Sequence, residues 1–543
     1  MAIDERLHLR RRPVRARGLP LKVWSVAVLA AWAALTAQAA NAQAQAQAAG
    51  NGGAPRDPWR LQESLSIGET YSDNINLASP GNERSDFVTT VTPALRLTRY
   101  GSRLTANLSY QPQFLYYARG TNGSTLRNYL DANANATLVE NLLFFDARAA
   151  VSQQNVSPFG SLAANSVNGS TNRAESRTYS FGPSLRSRFG NDLSYNAGYR
   201  YTGSSYNSTE LGTSHTSEVY GSIQSGTSSR DLGGGLTYNR SDQSYGGPNQ
   251  IITESLGSNL TYVLSPTIHL RAGIGYDRNR YPALPDRDLS GLSYFGGFDW
   301  NPTRHTQLSA QVGHRYFGPT ANISFRETTA HTSLSVSYSR DQTTSSGSGL
   351  GLVANPQYAL VDQLLLTAIP DPILRAQEVT NILQRAGLPA SQFGTIGFLS
   401  NQLYLQKRFD ISLALLGLRN TVTLNAFRSE SQVLSNLSTG FDVFNQASNF
   451  RQTGFTATWS HKLGPRTSAN LIAQKIHNQA VVGSGDTRQR ILTASISRQL
   501  QKNLSGALSY RNVRQDSDSG VAGGFFSGNY RENAVIGSLY LNF

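Results

Sequence analysis

The sequence predicts an all-β protein, a transmembrane antiparallel up-and-down β-barrel of about 22 strands, with 20 as the alternative count. Three observations predict it. The stretch RTYSFGPSLRSRFGNDLSYNAGYRY, residues 177–201, alternates with a period of two on both sides of Gly190-Asn191-Asp192. Short and long connections alternate along most of the chain. Both ends of the chain also carry export-type signals.

The alternation is the strongest of the three. Tyr179, Phe181, Leu185 and Phe189 fall on one face, and Ser180, Ser184, Arg186 and Arg188 on the other. After the break, Leu193, Tyr195, Ala197, Tyr199 and Tyr201 alternate with Ser194, Asn196, Gly198 and Arg200. Successive side chains of a strand point to opposite faces, so one face is apolar and aromatic and the other small, polar and basic. Gly-Asn-Asp between two such runs is hairpin chemistry. A hairpin with one apolar face and one polar face suits a wall between lipid and water.

Composition agrees. The 543 residues include 49 Gly, 25 Tyr and 22 Phe, and mean hydropathy is negative at −0.35. No apolar run after residue 36 is long enough for a transmembrane helix, which needs about 20 residues. The chain has no Cys, so neither disulfides nor thiolate metal sites enter the argument.

At the N-terminus, Arg6, Arg10, Arg11, Arg12, Arg15, Arg17 and Lys22 precede the apolar run VWSVAVLAAWAAL, residues 23–35. With Ala40-Asn41-Ala42 as a cleavage candidate, residues 1–42 read as a secretory signal peptide. Residues 43–58 read as a flexible leader, too short for a plug domain, and residues 59–543 as the barrel. Without residues 1–42 the chain carries 41 Lys+Arg against 32 Asp+Glu, lowering the formal net charge from +14 to +9. All but four of those 41 are arginines, whose planar fork suits carboxylate and phosphate. Lipopolysaccharide phosphates are one expected partner. Nucleic acid is not, because no basic helix or nucleic-acid motif accompanies the charge.

In chain order, strands are expected over about residues 59–72, 87–97 and from Leu104 onward. Tight turns follow at 139–141, 190–192, 226–230, 265–267, 301–303, 417–420, 464–466 and 501–503. Longer Gly/Ser/Asn loops cover 155–174, 202–215, 241–250, 278–289, 431–449, 479–487 and 514–529. Barrels of this kind place short turns in the periplasm and long loops outside. Reading residues 320–340 as one strand gives 21; splitting them near residues 327–331 gives 22 and leaves both ends periplasmic. Strands running outward carry Tyr on the lipid-facing parity: Tyr199, Tyr201, Tyr238, Tyr276, Tyr316, Tyr338 and Tyr510. That shared parity favours an aromatic girdle over a sugar-stacking platform.

One block, residues 342–402, is irregular. Within it Asp371, Pro372 and Gly387 punctuate a helix over 372–386. It packs either on its own loop or as a constriction at the pore. At the C-terminus, Leu539, Leu541 and Phe543 lie on one face of the last strand. They resemble the signal by which barrel assembly machinery recognises outer-membrane barrels.

The search for reactive chemistry yields no catalytic, cofactor or metal-ligating candidates. The histidines are scattered, and no nucleophile elbow or phosphate-binding loop is present. The chain is therefore expected not to be an enzyme. The polar parity offers Arg186, Arg188, Arg200 and Arg271 as lumen-lining residues. An arginine-lined lumen would attract anions; arginines paired with acids would merely stiffen the wall.

Four stretches carry a family resemblance: Tyr71-Ser-Asp-Asn-Ile-Asn-Leu77; Phe317-Gly-Pro319 leading to Ser337-Tyr-Ser-Arg-Asp341; Ile369-Pro-Asp-Pro372 with the helix after it; and Leu416-Gly-Leu-Arg-Asn-Thr-Val-Thr-Leu424. They resemble the outer-membrane barrel proteins associated with PEP-CTERM/exosortase exopolysaccharide systems. The resemblance implies a bacterial outer-membrane protein working beside exopolysaccharide and its export proteins, as passage or accessory. It lends no catalytic residues. A general or anion-preferring porin is the second expectation, and a structural surface protein without transport the third. TonB-dependent uptake is disfavoured by the short leader.

Overall fold

The computed structural model describes residues 59–543 apart from residue 191 and the segments 208–212, 227–230, 245–249, 281–288, 345–352, 355–392, 395–402, 436–448, 482–484 and 519–527. The expected signal peptide, leader and 372–386 helix lie outside the described residues. Of the 342–402 block, Val353–Ala354 pairs with Phe393–Gly394 as a separate two-stranded ladder.

The wall begins with β1 (Arg60–Ser72), β2 (Asp86–Tyr100), β3 (Leu104–Tyr110 with Gln113–Tyr117) and β4 (Thr125–Arg127 with Leu130–Val139). It continues through β5 (Leu143–Asn155), β6 (Arg173–Phe189), β7 (Leu193–Tyr206), β8 (Ser214–Ser225) and β9 (Leu232–Ser244). Next come β10 (Gln250–Ser265), β11 (Ile268–Arg280), β12 (Gly291–Trp300), β13 (Thr306–Arg315), β14 (Gly318–Thr328) and β15 (Thr332–Thr344). The last seven are β16 (Leu403–Leu416), β17 (Asn420–Ser435), β18 (Asn449–Gly464), β19 (Thr467–Ala480), β20 (Asp486–Gln499), β21 (Leu504–Asp518) and β22 (Tyr530–Asn542). Each pairs antiparallel with the next, and β22 returns to β1, from Ser64 opposite Asn542 to Ser72 opposite Ala534. The barrel is closed, so it has no free edge to satisfy.

The interruptions in β3 and β4 have a chemical cause. Pro112 has no amide hydrogen to give the ladder. The register is nevertheless kept across it: Leu95 faces Tyr110 before the break and Val91 faces Phe114 after it. The strand count therefore stays at 22. The split expected near 327–331 is found between β14 and β15. Connections alternate as expected, with short turns at one end and the longer loops at the other. One loop at the long end is far shorter than the rest, the two-residue step Tyr316-Phe317 between β13 and β14.

Outward positions carry the large exposed apolar side chains, among them Leu236, Leu256, Ile274, Leu292, Val312 and Leu508. Inward positions are mostly Ser, Thr, Asn, Gln and Gly. The buried apolar residues do not form a continuous core. Most gather in small clusters at the mouth, at the end that carries the long loops.

Candidate functional site at the barrel mouth

The loop joining β5 to β6, residues 156–172, was expected to extend outside the barrel with the other long loops. The structure corrects this, because the loop folds inward across the lumen. Its composition shows why. Val156, Phe159, Leu162 and Val167 are all buried, so an outward course would expose four apolar side chains. Its base is closed by Asn172, whose Oδ1 accepts from the Ser157 amide at 2.7 Å while its Nδ2 donates to the Ser157 carbonyl at 2.8 Å.

Inward-facing side chains of the last four strands hold the near edge of the loop. Asn478 Nδ2 donates to the Pro158 carbonyl at 2.7 Å, and the Thr487 hydroxyl to the Phe159 carbonyl at 3.3 Å. Gln515 binds twice, donating to the Gly160 carbonyl at 3.2 Å and accepting from the Leu162 amide at 3.1 Å. The Tyr530 hydroxyl donates to the Leu162 carbonyl at 2.6 Å and accepts from Gln489 at 2.9 Å. A buried backbone must find partners, and here long amide side chains and one phenol supply them.

The returning limb is held from β3, β4 and β6. Tyr117 donates to the Val167 carbonyl at 2.8 Å, and Arg173 to the Asn165 carbonyl at 2.5 Å. Arg127 donates to the Ser166 carbonyl. Glu532 locks the centre. It has no exposed surface, and its carboxylate accepts from Ser72 at 2.8 Å, Asn168 at 2.6 Å and Arg511 at 3.1 and 3.2 Å. The β1–β2 loop packs beside it. Asn74 bridges the Ala78 and Arg531 carbonyls, Gly169 donates to the Ile75 carbonyl, and Ile75 joins Val88, Leu115, Tyr117 and Val167.

The mouth is narrower than the strand count suggests. A circular barrel of 22 strands, spaced about 4.8 Å and tilted about 40°, would measure roughly 45 Å between opposite backbones. Yet Phe159, only four residues past the end of β5, packs with Tyr404 of β16 and Phe450 of β18. Four residues reach at most about 14 Å, and even with the two aromatic side chains added this falls well short of that span. The two walls therefore lean toward each other along this line.

The lumen-lining arginines are placed on the inward parity, and three of them are paired. Arg186 meets Asp146 at 2.6 Å, Arg200 meets Glu218 at 2.9 Å, and Arg271 meets Asp299 at 2.5 Å. Arg188 lies opposite Ser194, next to the β6–β7 turn. Sequence reasoning missed Arg315, which bridges Asp277 at 2.9 Å and Asp341 at 3.3 Å, and the buried Arg511–Glu532 pair. It also missed Gln489, Gln515 and Tyr530. The available signal was their inward parity in strands where Ser and Thr are the norm.

The tyrosines divide. Tyr199, Tyr276 and Tyr510 are exposed on the outward face, and Tyr201, Tyr238 and Tyr338 share that face half-buried. Tyr316 belongs instead to the β13–β14 connection and donates to Gln342. Tyr294, not singled out from sequence, is exposed and stacked on His314 at 5.8 Å. Leu539 of β22 and Phe543 just past its end are exposed, with Leu541 between them, and the Phe543 amide donates to the Glu63 carbonyl at 3.0 Å.

A closed antiparallel wall with an apolar exterior and a polar interior belongs in a bilayer, and an even strand number with short turns at one end and long loops at the other is the pattern of the bacterial outer membrane. The chain is an outer-membrane β-barrel. No family model matches it, and no curated relative does. Among solved structures, the siderophore receptor PirA from Pseudomonas aeruginosa aligns at 10% identity and TM-score 0.45, over 90% of this chain and 81% of that one. The FrpB iron transporter from Neisseria meningitidis aligns at 10% identity and TM-score 0.47, over 90% and 83%. Likeness at this level adds nothing to what the closed ladder establishes.

Proposed function

We propose that the protein is a passage, or the outer-membrane accessory of one, for an exopolysaccharide. The observation that carries this reading is the inward loop 156–172, held across a lumen lined by hydroxyls and amides. Such groups exchange hydrogen bonds with sugar hydroxyls without binding them tightly. The arginines of the wall are largely neutralised by neighbouring acids, which weakens the case for an anion-preferring pore. The resemblance to PEP-CTERM/exosortase-associated barrels supports the same reading, and its first stretch supplies Asn74, Ile75 and Leu77 to this mouth.

A general diffusion pore is the second reading, favoured by the same polar lumen. On either reading the outward tyrosines anchor the barrel at the lipid interface, Leu539, Leu541 and Phe543 present it to the assembly machinery, and the chain performs no catalysis. Two measurements test the proposal together. Planar-bilayer recording should show a conducting channel, and a deletion strain should lose secreted polysaccharide. Normal polysaccharide output from that strain would overturn the exopolysaccharide reading and leave the diffusion pore.

A further inference from the structure

The outward face of β19 to β22 carries four cations in a single cross-strand row. Lys475 lies opposite Arg490, Arg490 opposite Arg514, and Arg514 opposite Arg531. All four side chains are exposed. Among the described residues only Arg514 has an acidic partner, Asp516 at 3.1 Å. One step nearer the loops, His477 and Arg488 share Asp486, at 2.9 and 3.1 Å. Like charges directly opposite each other in a sheet repel, and Asp516 offsets this at Arg514 alone, so the row carries a cost that a bound anion would relieve.

The position of the row says which anion. One step toward the membrane the same face reads Ala473, Leu492, Asn512 and Asn533, and the next step reads Leu471, Ala494, Tyr510 and Val535. The row therefore lies just above the apolar band, on the side of the long loops. Directly beneath it is an outward-facing groove of about 610 Å³, floored by Ala469 and Ala494 and walled by Trp459, Leu471, Leu508 and Tyr510. Small residues on adjacent strands make this hollow in a surface that elsewhere carries Leu and Ile. A row of cations over an apolar groove is the negative image of a lipid with an anionic head and acyl chains. The row spans three strand spacings, about 14 Å. A single phosphate cannot reach both its ends, whereas a disaccharide phosphorylated at each end can.

We propose that β19 to β22 form a binding site for the bis-phosphorylated glycolipid of the outer leaflet, the lipid A part of lipopolysaccharide. Its phosphates sit on Lys475, Arg490, Arg514 and Arg531, and an acyl chain lies in the Ala469/Ala494 groove. Guanidinium groups bind phosphate through paired, charge-assisted hydrogen bonds, which suits three arginines out of four.

The test uses the full barrel in a neutral detergent, with binding of purified bis-phosphorylated lipid A read by native mass spectrometry and by thermal unfolding. The double variant Arg490→Gln, Arg531→Gln should bind roughly tenfold or more weakly than the wild type. Without lipid the same variant should unfold at a higher temperature than the wild type, because the in-register repulsion is relieved. With lipid A the order should reverse. Ala494→Phe fills the groove and leaves the cations in place, and it should also weaken binding. Heat-modifiable migration on gels confirms that each variant is a folded barrel. Equal affinity of the wild type and the double variant would overturn the site. Wild-type binding of phosphatidylglycerol as tight as that of lipid A would overturn the bis-phosphorylated occupant.

Discussion

The two halves of the barrel wall follow the same alternation and use their interiors in opposite ways. From β16 round through the seam to β6, inward positions near the mouth carry Tyr404, Phe450, Asn478, Gln489, Gln515, Tyr530 and Glu532, and they are buried against a loop. From β8 to β15, no hydrogen bond from residues 156–172 arrives among the described residues. There the inward positions are mostly Gly, Ser, Thr, Asn, Gln and Arg–acid pairs, with Tyr220, Ile251 and Phe295 among them. Both halves lay aromatic rings over inward glycines: a Cβ at Gly273 would lie 2.2 Å from the Phe295 ring, and one at Gly454 2.1 Å from the Phe427 ring. One half grips a loop, and the other lines a space. Hydrogen bonds to residues 156–172, more than strand pattern or burial, therefore mark the gripping half.

Removing the loop should have the largest effect. Replacing residues 158–170 with a short Gly/Ser linker should raise single-channel conductance several-fold in a planar bilayer. An unchanged conductance would mean that the loop does not set the width of the passage. Next in size is Glu532→Ala, which strands the buried Arg511 guanidinium and releases Ser72 and Asn168. Removing one partner of a buried ion pair costs about 3–5 kcal/mol. Denaturant unfolding in detergent would measure it, and the loop should become sensitive to protease. Gly160→Ala is milder. Its Cβ would come within 2.4 Å of the Asn172 side chain, which closes the loop base. A loss of about 1–3 kcal/mol is expected for such crowding, with faster proteolysis confined to the loop. The smallest effect belongs to the other half. Arg271→Gln removes a half-exposed guanidinium from the largely buried Asp299 but leaves an amide to donate in its place, and it should change stability by about 1 kcal/mol. Reversal-potential measurements should show only a slight shift toward cations. A large shift would mean that the open half, and not the gripped one, controls what passes.

Much of the wall was legible in the sequence, because a period of two reports which face a residue takes. The β14/β15 split followed from parity alone, since an odd strand number would have put one chain end on the wrong side. The outward tyrosines and the inward Arg186, Arg200 and Arg271 followed in the same way. The mouth was not legible. Parity gives a face but no partner, and the partners of the loop are far away in sequence: Leu162 meets Gln515 across 353 positions and Tyr530 across 368. A Gly/Ser/Asn-rich segment reads as a surface loop whichever way it folds. The apolar residues Val156, Phe159, Leu162 and Val167 were the one local hint that this loop turns inward. The pairing of the lumenal arginines was equally hidden, because it depends on which strands neighbour each other and in what register.

The seam between β1 and β22 ties the shape of the wall to the order in which it is made. Tyr530 and Glu532 on the last strand bond directly to residues 156–172, and Ser72 on the first strand donates to Glu532. Until the final strand has been inserted, the loop lacks those bonds. The last strand thus closes the barrel and supplies the final bonds to the loop, whose other partners stand on β3, β4, β6 and β19 to β21.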